Sequence, residues 1–134
     1  MHFIVLIGRI FFSAYFILAS IGNFSPDTMR MAAQQGMPMA NVLVPLFGVM
    51  ALLGGLSVLL GLKARWGVWL LVILLFIVTF FMHPFWKYDG DMMMMQRAMF
   101  LTSLSMLGSC LIIAYFGSGP FSLDNHHWMH RFRR

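Results

Sequence analysis

The residue best placed for chemistry in this chain is a histidine at the end of a long apolar run. His83 lies one helical turn beyond Thr79 on the same face and is followed by Pro84, Phe85 and Trp86; Asp91 and Arg97 open the next apolar stretch at similar depth. An imidazole can hydrogen-bond a carbonyl oxygen and titrates near neutral pH, so it can also pass on a proton. Trp86 offers a flat apolar wall. Taken together, His83, Trp86, Asp91 and Arg97 outline a headgroup pocket of the kind a quinone would enter, with His83 passing a proton outward as a quinol is oxidised. A second role is equally open for His83: a ring capped by a backbone carbonyl where Pro84 breaks the helix.

Arg9 is the second candidate, because it interrupts the apolar segment from Met1 to Gly22. A charge inside a span costs roughly 2.5 to 3.5 kcal/mol on insertion scales, so a partner is expected. No acidic residue lies within any apolar segment. Counted along a helix, Arg9 sits roughly 12 Å from one end of the bundle and His83 roughly 25 Å from that same end, too far apart for one small pocket. The acid within reach is Asp124, after the last apolar segment. An Arg9 to Asp124 contact tying the tail to the bundle is expected, with a structural role.

Methionine is the third feature. Met29, Met31, Met37, Met39, Met82, Met99 and the run Met92 to Met95 gather near the His83 end, and thioethers beside a histidine suit Cu(I). The run points around the whole helix and cannot converge on one ion, and methionine also fills apolar gaps. A metal site is therefore not expected. His126, His127 and His130 in the tail read as solvated. No histidine lies deep enough in a span to ligate haem, and phosphate loops, zinc spacings and catalytic triads are absent.

The elements that carry these residues are membrane spans. Trp66 to Trp86 contains no charge and rises roughly 30 Å as a helix, the thickness of a bilayer core, with tryptophan at each end for the headgroup level. With 60% hydrophobic and 10% charged residues, the chain has too little polar surface to dissolve, and its 134 residues leave no room for a separate soluble catalytic domain. The net charge of +5 comes from scattered residues and a short cluster, Arg131, Arg133 and Arg134. It fits orientation in a membrane, and no nucleic acid is expected as a partner. The single cysteine, Cys110, excludes thiol shuttling by this chain alone.

Four spans are expected, at about 2–22, 41–62, 66–86 and 92–116, making a membrane domain of residues 1–116 with a polar, mobile tail over 117–134. Arg9 lies inside the first apolar core rather than before it, and the exit is not a clean small-residue cleavage site, so this segment reads as a retained span. On it, Arg9, Ser13, Phe16 and Ser20 share one face, directed into the bundle. Ser25-Pro26-Asp27 has a cap, a first-turn proline and a first-turn acid, and predicts a short interfacial helix to about Gln35. Gly48, Ala51 and Gly55 on the second span, and Ala98, Thr102, Ser105 and Ser109 on the fourth, form small-residue seams that suit helix packing or a homo-oligomer. The fold class is all-α: an integral membrane four-helix bundle with one short interfacial helix. Lys63 and Arg65 in the second turn and the arginines of the tail place both termini in the cytoplasm.

Several of these residues together resemble the DoxX family of small bacterial inner-membrane proteins. They are Arg9, Gly36-Met37-Pro38, Gly54-Gly55-Leu56 through Gly61-Leu62 with Arg65, His83-Pro84-Phe85-Trp86, and Gly119-Pro120-Phe121-Ser122-Leu123-Asp124. The resemblance runs from the N-terminus to about Asn125. It implies a four-helix bundle in the inner membrane and, more loosely, a place beside quinone-linked respiratory, sulfur-oxidising or oxidative-stress enzymes. The expected function is an accessory or quinone-interacting subunit of a membrane redox complex, with membrane lipid and a redox enzyme subunit or second copy as partners. The alternative is a non-enzymatic scaffold or a small-solute or lipid-handling protein, with copper handling behind both. The chain departs from the family pattern at Asn23, where many members carry lysine, at Ala51, where an acid is common, and at Thr102-Ser103, where a Lys-Asn pair is common.

Overall fold

In a computed structural model that describes residues 2–119 and 121–123, the described chain is all helix and turn. The elements are α1 (His2–Gly22), α2 (Pro26–Gln34), α3 (Ala40–Leu60), α4 (Ala64–Met82), a short 3-10 turn (Phe85–Lys87) and α5 (Gly90–Phe116). All but α2 and the short turn are long and apolar enough to cross a membrane. The chain is thus a four-span helical membrane bundle with a short fifth helix between the first two spans.

The third apolar span runs over Ala64–Lys87 and covers the expected 66–86, but its α-helix, α4, ends at Met82 and the short turn completes it. The reason is local. A residue before proline is pushed out of the helical region, and His83 takes φ −123°, ψ 50°. The chain then makes one tight turn before Gly90 opens α5. At α2, Pro26 occupies the first turn as expected, but Ser25 makes no side-chain cap; Thr28 Oγ1 instead donates to the Gly22 carbonyl at 2.9 Å.

α3 is the centre of the bundle. It packs against α1, α2 and α4, and α4 in turn packs against α5, so each span lies chiefly against the next one. Small residues make this possible. A Cβ on Gly54 would lie 2.6 Å from Leu71 Cγ and 2.9 Å from the Gly67 carbonyl, and one on Gly67 would strike Ser57. Without side chains at these crossings, the α3 and α4 backbones approach closely. Gly55 does the same against Phe16, Ile17 and the Ser13 carbonyl of α1. The α3–α4 connection is a Schellman turn: Leu62 N–H donates to the Ser57 carbonyl at 3.1 Å and Gly61 N–H to Val58 at 3.2 Å, with Gly61 at φ +65°.

The expected inward face of α1 is observed, since Arg9, Ser13, Phe16 and Ser20 are all buried. The expected seam on α5 is not the packed one. Ala98, Thr102 and Ser105 are exposed, and the buried residues are Gln96, Ser103 and Cys110, spaced by seven toward α4. The hydroxyls of Thr102 and Ser109 bond their own helix, to the carbonyls of Ala98 (2.9 Å) and Ser105 (3.1 Å). Only 11% of the α5 window is buried against 39% for α3, which makes α5 the outermost span.

Candidate functional site

His83 leaves the end of α4 half-buried, and its Nδ1 lies 3.0 Å from Oε1 of the buried Gln96 on α5. The break before Pro84 sets this geometry, because it frees the ring from the helical ladder and turns it toward the neighbouring span. Beside the pair opens a cleft of about 330 Å³ lined by Tyr15, His83, Ala98, Met99, Thr102 and Ser103. Its walls therefore come from α1, the end of α4 and α5. α1 and α5 are the two ends of the packing series, and the cleft lies in the seam between them.

The other expected members of the pocket stand elsewhere. Trp86 is exposed and meets Phe100 edge-on at 6.1 Å between ring centroids, within a group that includes Phe80 and Phe85. This group packs the short turn onto α5. Asp91 is exposed in the first turn of α5, where a carboxylate complements the helix N-terminus. Arg97 is exposed on α5 next to Gln96. None of these three lines the cleft around His83. What the residue types alone did not single out is Gln96, directly after the methionine run, and Tyr15, an aromatic among many on α1. The available signal was the seven-residue spacing of Gln96, Ser103 and Cys110, which marks the buried stripe of α5.

At the opposite end, Arg9 is held by carbonyls. Nη1 donates to Ser118 at 3.0 Å, and Nη2 to Leu59 at 3.0 Å and Phe121 at 3.1 Å. Asp124, its expected partner, lies outside the described residues. The tail was expected to be mobile; its described residues, 117–119 and 121–123, lie against the end of the bundle. Phe121 stacks on Phe3 at 5.4 Å, Ser122 lies against Gly61, and a Cβ on Gly119 would come within 2.8 Å of Val5. A buried guanidinium needs acceptors, and three main-chain carbonyls from two segments meet its two terminal nitrogens, while its buried Nε has no partner among the described residues. Arg9 is thus a structural clasp in this geometry, well removed from the His83 cleft.

Among the methionines, Met37 is in the core, while Met92, Met94 and Met95 are exposed on α5. Compared with models of known protein families, residues 4–84 match that of DoxX. No curated protein and no solved structure matches the chain.

Proposed function

Because the chain belongs to the DoxX family and spans the membrane, we propose that it is an accessory, quinone-interacting subunit of a membrane redox complex. The observation that carries this reading is the cleft around His83, lined by an imidazole, a phenol and hydroxyls together with Ala98 and Met99, where α1, the end of α4 and α5 converge. Its volume of about 330 Å³ falls at the low end of small-ligand sites and suits a single ring.

His83 and Tyr15 would hold the two polar edges of the ring. With the proton on Nδ1, His83 donates to Gln96 Oε1 and leaves Nε2 free to accept a proton from a quinol hydroxyl. With the Gln96 amide reversed, the proton sits on Nε2 and donates to a quinone carbonyl. Gln96 can serve either state because its amide both donates and accepts. A bound quinone supplies the two-electron, two-proton chemistry, and the electron donor or acceptor belongs to the partner enzyme. Localisation follows the charge pattern, with Lys63 and Arg65 toward the cytoplasm in a bacterial inner membrane, both termini on that side and the His83 cleft toward the outer leaflet.

Quinone binding to the purified protein tests this directly. His83→Ala should abolish it and Gln96→Leu should weaken it about tenfold, the equivalent of about 1.4 kcal/mol for a lost positioning hydrogen bond, with helix content unchanged. Under the scaffold reading, His83→Ala alters stability alone; wild-type protein that binds no quinone, or a variant that binds it undiminished, would reject the redox role.

A further inference from the structure

On the other side of the α4–α5 pair, away from the seam with α1, lies a second concavity of about 350 Å³ lined by Val72, Ile73, Phe76, Ile77, Leu107 and Leu111. We infer that this groove binds one anionic phospholipid at the basic end of the bundle, its acyl chain against these residues and its phosphate on Arg65.

The spacing carries the argument. Arg65, Trp69, Ile73 and Phe76 follow i, i+4, i+8, i+11 and so share one face of α4, with the arginine at the membrane edge and the groove beginning about 12 Å deeper. On α5, Leu107, Leu111 and Tyr115 run at i, i+4, i+8 toward the same edge. Trp69 and Tyr115 are half to mostly exposed there, at the level where amphipathic rings meet the glycerol and ester groups of lipid. The Arg65 guanidinium reaches over the end of α5, since a Cβ on Gly117 would lie 3.6 Å from its Nε. No hydrogen bond or ion pair among the described residues engages that guanidinium, and its donors match a phosphodiester.

Length selects a lipid over a second helix. The Phe76 and Phe80 rings lie 4.9 Å apart and Phe80 meets Phe100 of α5 at 5.6 Å, so aromatic side chains bridge the two spans and close the groove. From Arg65 to the groove residue Phe76, α4 rises about 16 Å, close to one leaflet of hydrocarbon, whereas a packed helix needs a channel through both. The site is independent of the His83 cleft.

The test uses the full chain, stripped of lipid in detergent, titrated with phosphatidylglycerol or phosphatidylcholine of identical acyl chains and read by native mass spectrometry and thermal shift. Wild-type protein should prefer phosphatidylglycerol, and Arg65→Gln should reduce that preference about fivefold while leaving phosphatidylcholine binding as it was. Leu111→Trp, which fills the groove, should lower retention of both lipids. Equal retention of the two lipids by wild type, or a preference that survives Arg65→Gln, overturns the proposal. So does a concentration-dependent dimer that Leu111→Trp abolishes without changing lipid retention, because the occupant is then a second copy. Helix content by circular dichroism identifies a variant that fails to fold, and Arg65→Lys, which keeps the charge, should retain most of the preference.

Discussion

At Arg9 a single side chain joins three parts of the chain. Its guanidinium binds the last turn of α3 through Leu59 and the post-α5 strap through Ser118 and Phe121. Charge-assisted hydrogen bonds to a buried cation are worth about 1.5 to 3 kcal/mol each, and losing the cation strands their acceptors. Arg9→Leu should therefore destabilise the protein by about 3 kcal/mol in thermal unfolding and expose the chain around Ser118 and Phe121 to protease, while Arg9→Lys should recover only part, because one ammonium cannot reproduce the planar fork. Quinone binding at the distant cleft should survive in folded Arg9→Lys protein. His83 shows how a residue can be legible while its partner is not. The histidine stands out at the Pro84 break that closes a long apolar run, but Gln96 is picked out only when the helices are packed and its amide falls opposite Nδ1.

At the scale of elements, small residues decide which helix faces meet. Gly54 and Gly67 let α3 and α4 approach until backbone meets side chain, whereas a Cβ on Gly108 would meet nothing within 4 Å. Gly54→Ala should therefore cost about 2 kcal/mol, since neither Leu71 nor the Gly67 carbonyl can move away freely, and Gly108→Ala should be neutral or slightly stabilising through helix propensity. Comparing the two melting temperatures checks this. The two small-residue seams looked alike as spacing patterns, yet that of α3 is buried and that of α5 is largely exposed. Periodicity shows that a face is small; it does not show which neighbour the face turns to, and on α5 the packed stripe is the one carrying Gln96, Ser103 and Cys110.

For the whole molecule, the consequential feature is the order of packing. Because α1 meets α3, α3 meets α4 and α4 meets α5, α1 and α5 stand at the two ends of the packing series, joined at the Arg9 end through Ser118 and Phe121 and lining the His83 cleft at the other. Entry from the bilayer between α1 and α5 makes a further prediction. In a Cys110→Ala background, Tyr15→Cys and Met99→Cys joined by a short bis-thiol reagent should lower quinone binding at least tenfold below that of the unlinked double variant, which itself binds more weakly than wild type because the Tyr15 hydroxyl is lost. Binding that persists in the linked protein would show that the ligand enters elsewhere.

Much of this architecture follows from the sequence alone, because hydropathy over some twenty residues, a charge-free run flanked by tryptophan and the turn chemistry of Gly61 and Pro84 are local properties. They settle the all-α membrane class, the number of spans and the inward face of α1, and they make His83 a candidate. The rest depends on which faces meet, and the bilayer gives no hydrophobic signal for that, since lipid-facing and buried positions are equally apolar. Only the packed helices put Gln96 on His83, carried Trp86, Asp91 and Arg97 away from the cleft, placed Tyr15 on its wall, and set the carbonyls of Leu59, Ser118 and Phe121 on Arg9, which no residue pattern displays.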